Sequence, residues 1–272
     1  LEMAHDWEQS VPFLLVRLCI ACLAILGNLV IILTILRSPR LYRRAYNMLI
    51  ALLATSDLVI GIGLMVRVTA TTVHVMQPST HDFSEVYCVS LASVSVLGIQ
   101  LSQLSVLVIA VDRLSAVKRP ISYKSKDPFW YPLRSFLGIF VIALIGIAML
   151  FLGVDTESRT QVCTLSGQDV RLFAPYWICF SVVICESARE LARQRRVFIT
   201  ISLVLASYFL FYVCPFLAHA TGLIVRASDE VLSVLVLVNG LASGINAAIN
   251  ILLYGWKYDE LREAMLRFVR GE

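Results

Sequence analysis

Seven long apolar runs decide most of what this chain can fold into. They cover about residues 11–36, 46–72, 86–117, 133–153, 170–187, 196–224 and 230–254. A run of roughly 20 apolar residues is long enough to cross a bilayer as a helix. Lipid offers no partner for free backbone N–H and C=O groups, so each run must satisfy them internally. A membrane β-barrel would instead need alternating segments of about 10 residues, and the sequence has no such pattern. Hydrophobic residues make up 58% of the 272, with a mean hydropathy of +0.80, well above a soluble domain. The expected fold class is an all-α membrane protein, a seven-transmembrane-helix bundle forming a single domain over 1–272. A short amphipathic C-terminal helix is expected over 256–269, with Leu261, Met265, Leu266 and Val269 on one face, as an interfacial helix requires.

Basic residues set the expected orientation. All but five of the 23 Lys and Arg fall on one side of the runs; the five are Arg17, Arg67, Arg159, Arg171 and Arg226. The majority cluster in "RSPRLYRR", "KRPISYKSK", "ARELARQRR" and the C-terminal helix. The N-terminus is therefore expected outside and the C-terminus inside, at the plasma membrane. The net charge of +4 expresses this bias and is no nucleic-acid footprint. Of seven cysteines, Cys88 and Cys163 fall near outer ends, where oxidising conditions allow pairing. The other five sit within runs and read as small apolar core residues; no cysteine or histidine spacing fits a metal site. "LEM" at the start reads as a cloning remnant, and the first run can serve as the insertion signal. The link between the fifth and sixth runs is short, as if a loop were missing near Cys185–Ser187.

Polar residues inside such runs are costly, so each is a functional candidate. The first run holds Asn28 in "ILGNLVII", the second Asp57 in "LLATSDLVIG". The third begins at Cys88 and ends "VLVIAVDRLSAVKRPISY", with Asp112 and Arg113. The sixth contains "YFLFYVCPFLAH" with Pro215, and the seventh "NGLASGINAAINILLYGWKYDE" with Asn246, Asn250 and Tyr254.

This ordered set resembles the rhodopsin-like (class A) G-protein-coupled receptors over nearly the whole chain. The 25-residue interval from Cys88 to Arg113 matches the family's spacing from disulfide cysteine to activation arginine. Departures are visible. Leu114 follows Asp-Arg, the fourth run lacks the usual Trp, and Pro175 stands too early in the fifth. Val213 takes the Trp-switch place, Ile251 replaces the Pro of Asn-Pro-x-x-Tyr, and Arg195 stands where many relatives carry an acid. "DRL" followed by "RP" is similar, more weakly, to nematode serpentine chemoreceptors.

The resemblance implies a Cys88–Cys163 bridge, an extracellular ligand, a heterotrimeric G protein as partner, and a lipid bilayer around the chain. It groups Asp57 with Ser102, Asn246 and Asn250, oxygen-rich side chains suited to a sodium ion with waters or to a hydrated polar cluster. No other cofactor is implied. It pairs Asp112 with Arg113 at rest, sends Arg113 to the G protein on activation, and has Tyr254 swing inward. Pro215 removes a backbone donor and kinks its helix, which lets the cytoplasmic half of the sixth span move outward.

Arg67 stands about 15 Å outward from Asp57 along one helix and about 80° around it. Ser95, 18 residues before Arg113, occupies the place where amine receptors keep an aspartate. An arginine suits bidentate contact with a carboxylate or phosphate, so Arg67 either holds an acidic ligand or pairs with a loop acid such as Asp82, Glu85 or Asp169. Helix faces add Ser95, Val96, Ile99, Gln100, Tyr176, Trp177, Phe216 and His219 to the candidate pocket, which suits an amphipathic small molecule or a peptide end. A retinal pump would need a lysine in 230–254, which has none. A transporter would show repeated halves with broken helices. A membrane enzyme would need paired acids or a nucleophile with its base. None is apparent, and no catalytic residue is expected.

Overall fold

A computed structural model describes residues 9–76, 83–152, 154, 157, 159–160, 173–192 and 206–270. The long helices are α1 (Val11–Arg37), α3 (Ala45–Met76), α4 (Glu85–Lys118), α6 (Trp130–Phe151), α7 (Phe173–Ala192), α8 (Cys214–Ile224) and α9 (Asp229–Lys257). Short α2 (Pro39–Tyr42) and α5 (Pro120–Lys124) lie in the connections, and α10 (Asp259–Arg270) closes the chain. The sixth span is described from Ala206 and reaches α8 through a π-helical turn, Phe209–Val213. Six spans are long and apolar enough to cross a membrane by themselves, while α7 contributes a shorter apolar stretch, Pro175–Ile184. The fold is a seven-helix membrane bundle.

Burial follows the polarity argument turned inside out. Apolar side chains such as Leu23, Leu26, Val141, Ile145 and Val183 are exposed on the bundle surface, where lipid would meet them. Polar ones such as Asn28, Asp57, Ser102 and Asn250 are buried within it. The second and third spans approach most closely through small residues, the usual device where lipid removes the hydrophobic drive between helices. A Cβ added at Gly98 would fall 2.7 Å from the backbone N of Ile60, and one at Gly63 would fall 2.7 Å from that of Ser95.

The span boundaries differ in places from the sequence expectation. The fifth helix runs through Cys185–Ser187 to Ala192. Residues 193–205, including Arg195 and the start of the expected sixth run, lie outside the described residues. The seventh helix continues to Lys257, and Tyr258 (φ −117°, ψ 96°) separates it from α10. The apolar face of α10 divides. Leu261 and Met265, four residues apart, pack into the core beside Ile31, Ile35 and Tyr254. Leu266 and Val269 point outward, because one step along a helix turns about 100°.

Two ties lie at the Cys88 end. Strands β1 (Phe83–Ser84) and β2 (Arg159–Thr160) pair antiparallel, with Phe83 opposite Thr160. Ser84 then caps α4, its Oγ accepting the Tyr87 N–H at 3.3 Å. Cys88 is disulfide-bonded; Cys163, its expected partner, lies outside the described residues. At the other end Asp127 accepts from the N–H groups of Phe129 and Trp130, both at 2.8 Å, and so starts α6. Those two donors hold its carboxyl below the usual carboxylate range.

Candidate functional site

Two clusters occupy different depths. At mid-bundle, Asp57 on α3 is completely buried. Ser102 on α4 donates to its Oδ1 at 2.8 Å, and Asn250 on α9 donates to its Oδ2 at 2.5 Å. Both carboxylate oxygens are thus bonded, which a buried carboxylate requires. Asn246, one turn from Asn250, does not bond Asp57; its Oδ1 is buried without a hydrogen-bond partner. Asn28 on α1 donates to the carbonyls of Ala24 and Ala247, at 2.8 and 2.9 Å. It therefore ties the first span to the seventh. The residues fit a small hard cation: a carboxylate, a hydroxyl and an orphaned amide oxygen are the donor types such an ion takes.

At the Arg113 end, Arg113 donates to Asp112 Oδ2 through Nη2 at 2.5 Å and Nε at 3.2 Å. Tyr123 of α5 also donates to that oxygen, at 2.9 Å. Lys126 Nζ reaches Asp112 Oδ1 at 3.7 Å. Asp112 is fully buried, so the two cations offset what would otherwise be a severe desolvation cost. The guanidinium of Arg113 sits 3.9 Å from the ring centre of Tyr46, at the start of α3, and also receives the Tyr123 ring at 5.6 Å. Tyr46 in turn hydrogen-bonds Tyr258 hydroxyl to hydroxyl. One chain of contacts therefore runs from the third span through the second to the root of α10. Burial pushes the Tyr123 and Tyr258 hydroxyls up to about 12, so both stay neutral donors at physiological pH. A cavity of about 730 Å³ opens beside this cluster, lined by Tyr46, Arg113, Tyr123 and Lys126 among others.

The sixth and seventh spans hold the residues that could move. Pro215 has no N–H, and its ring crowds the carbonyl four residues back. The helix widens to absorb this: Cys214 N–H bonds Phe209 O, five residues back. Such π-turns are rare and gather at functional sites. Val213, at the Trp-switch place, is a buried core residue with Tyr208 and Tyr212. The seventh span behaves oppositely. Ile251, where relatives carry Pro, leaves α9 unbroken over 29 residues and packs where Gly27 of α1 has no side chain. Tyr254 is buried in the core with Ile31 and Ile35.

The candidate ligand residues do not share one lining. Val96 packs with Leu150, Tyr176 and Trp177 between the third, fourth and fifth spans. Ile99 contacts both the core cluster around Leu104 and that around Leu64. Gln100 is fully buried and lies against Gly146 of α6, where a Cβ would come within 2.3 Å of its amide; its Oε1 and Nε2 have no hydrogen-bond partner. Ser95 and His219 are half-buried, with Ser95 Oγ and His219 Nε2 lacking hydrogen-bond partners. Phe216 is buried. Arg67 is half-buried and engaged in contacts. Glu85 opens α4, is 3% exposed and is also engaged in contacts. Asp82 and Asp169 lie outside the described residues.

Three residues escaped the sequence reading. Arg17 looked like an outer-side charge but is only 4% exposed, its guanidinium 5.4 Å from the Phe13 ring. Tyr46 and Tyr258 gave no signal beyond aromatic residues flanking spans.

Residues 27–254 match the family described as "7 transmembrane receptor (rhodopsin family)". The chain belongs to this family. Among curated proteins it is similar to the mouse (Mus musculus) D(3) dopamine receptor, 26% identical over 65% of this chain and 41% of that receptor. It is also similar to zebrafish (Danio rerio) G-protein coupled receptor 161, 26% identical over 61% of this chain and 31% of that protein. Each match spans less than half of the relative's length. The receptor is thus a multi-pass membrane protein whose matched region contains Asp57, Arg113, Pro215 and Tyr254.

Proposed function

We propose that this receptor binds an extracellular ligand and activates a heterotrimeric G protein by outward movement of its sixth span. Its N-terminus lies outside the plasma membrane. The observation that carries this reading is the arrangement around Arg113. A guanidinium is held by Asp112, Tyr123 and Tyr46 beside a cavity at the basic, cytoplasmic end. The sixth span, with its π-turn and Pro215, is the one described here with a built-in deformation. Moving it outward would enlarge the cavity and release Arg113 toward a partner's helix. Nothing in this requires the Trp switch or the seventh-span Pro that the chain lacks. Tyr254 would move with the same transition.

Sodium would be held by Asp57, Ser102 and Asn246, with Asn250 fixing the carboxylate. It would supply a positive charge that steadies the resting helices. A rise in melting temperature with sodium chloride over choline chloride, absent in Asp57→Asn, is the expected signature; equal curves for both proteins would remove the ion from the proposal.

The ligand is proposed to carry an acidic group or strong acceptors. One relative is named for dopamine, a cationic amine, but Ser95 stands at the amine-binding place. Arg17 and Arg67 put two guanidinium groups in the outer half, the group that suits a carboxylate or phosphate. Ser95, Val96, Ile99, Gln100, Tyr176, Phe216 and His219 remain the proposed apolar and polar contacts, and a peptide bearing a free carboxylate fits the same chemistry. Nucleotide exchange on a purified Gα, driven by a screen of acidic metabolites and short peptides, tests the reading. Acceleration by an acidic compound is expected; acceleration by amines alone would contradict it.

A further inference from the structure

A second cavity, of about 740 Å³, opens between the α1–α2 corner and α10. It lies beside the Arg113 cavity, on the side of the first span. Its lining is dominated by arginine: Arg37, Arg40, Arg43, Arg44 and Arg267. Two of these are neutralised, Arg44 by Glu260 at 2.6 Å and Arg267 by Glu263 at 3.6 Å. Arg37 is stacked on Phe268 at 5.0 Å, which fixes its direction without spending its charge. Arg40 and Arg43 have no acidic partner among the described residues. Three positive charges are therefore uncompensated around one cavity.

A basic rim alone could be a solvated face of a membrane protein. A separate observation points inward. Thr34 lines the same cavity, is 2% exposed, and its Oγ1 has no hydrogen-bond partner. A threonine on a helix normally bonds the carbonyl one turn back, so this hydroxyl is a spare donor at the floor. The surroundings identify the bilayer side. Leu29 and Leu36 are exposed on α1, and Leu266 and Val269 on α10. Acyl chains can lie along these surfaces while a headgroup occupies the cavity.

We propose that this cavity binds the headgroup of a multiply anionic phospholipid of the cytoplasmic leaflet. Guanidinium groups take phosphate oxygens in bidentate fashion, and basic pockets at this depth attract anionic headgroups. Arg37, Arg40 and Arg43 supply the charge, Thr34 a hydrogen bond to phosphate oxygen, and α10 the wall. A bound lipid would pin α10 against the first span and so bear on the Tyr258–Tyr46–Arg113 chain. The cytoplasmic placement rests on the orientation proposed above.

The test uses the full chain in neutral detergent micelles, which present every face, with a fluorescent phosphatidylinositol bisphosphate as probe and anisotropy as readout. Binding is expected to weaken at least tenfold in R40Q/R43Q and several-fold in T34V. It should stay within about twofold in K118Q/R119Q, which removes the same charge elsewhere on this end. R40K/R43K is expected to keep most of the affinity, and thermal melts confirm that each variant is folded. Soluble inositol trisphosphate is expected to compete only at far higher concentration than the lipid. Equal weakening in K118Q/R119Q would reduce the site to diffuse attraction, and unchanged binding in R40Q/R43Q would remove it. Competition by inositol trisphosphate as effective as by the lipid would assign the cavity to a soluble phosphate and overturn the lipid proposal. Tag accessibility on intact cells reports the orientation separately, so the two ideas fail independently.

Discussion

The Arg113 end of the bundle and the Cys88 end solve the same problem differently. Both bury charge. Around Arg113, acid, base and aromatic groups converge within hydrogen-bond distance, and Asp112 is met by Arg113, Tyr123 and Lys126. At the Cys88 end, Arg17, Arg67 and Glu85 are buried or half-buried on three different spans, while Ser95 Oγ and His219 Nε2 have no hydrogen-bond partner. A closed cluster holds one state firmly. Ser95 Oγ and His219 Nε2, unpartnered on the third and sixth spans, are polar atoms that an incoming molecule can join. Under the proposed function, the difference assigns the resting state to the first end and the ligand to the second.

The largest effect should come from the closed end. Arg113→Ala is expected to abolish ligand-driven nucleotide exchange while leaving ligand binding within a few-fold; retained exchange would break the contrast between the ends. Next comes the close packing of the second and third spans between them. Gly98→Ala should cost about 1–3 kcal/mol by overpacking, since its Cβ would meet the Ile60 backbone. A thermal melt in detergent measures it, and an unchanged melting temperature would mean that the two spans are not in that contact. At the open end, Arg67→Ala should raise the half-maximal ligand concentration about tenfold or more, which is about 1.4 kcal/mol, with basal exchange unchanged. An identical dose-response curve would assign Arg67 to packing.

The smallest effect sharpens the link to α10. Tyr258 is held neutral up to about 12 against an ordinary 10. Unfolded chain therefore loses its proton first as pH rises. Stability from this group is present below pH 10 and declines as pH climbs from about 10 to about 12. Tyr258→Phe should flatten that decline in a melting-temperature series and cost roughly 1 kcal/mol at neutral pH for the lost hydroxyl bond to Tyr46. A series unaltered by the substitution would detach Tyr258 from the Arg113 chain.

Much of this architecture was legible in the sequence because lipid is a strict solvent. It forces helices, sends polar residues inward, and makes Asp57, Asn28, Ser102 and Asn250 conspicuous. The Asp112–Arg113 pair was equally visible, being adjacent in sequence. What escaped depends on direction rather than position. An apolar run does not say which face turns inward, so neither the burial of Arg17 nor the packing of Gln100 against Gly146, some 46 residues away, can be read from it. The cage around Arg113 joins Tyr46, Tyr123 and Tyr258 from three separate connections, and no period or motif links them. Pro215 predicted a disturbed helix, but only the backbone shows that the disturbance is a widened turn.

Basal nucleotide exchange by Asp112→Asn tests the resting-state cluster most directly. The substitution keeps shape but removes the charge that holds Arg113, Tyr123 and Lys126 together. Measured on purified receptor and Gα without ligand, the exchange rate should rise several-fold above wild type and fall back in Asp112→Asn/Arg113→Ala. A folded Asp112→Asn receptor with exchange at or below the wild-type rate would contradict the role given to this cluster.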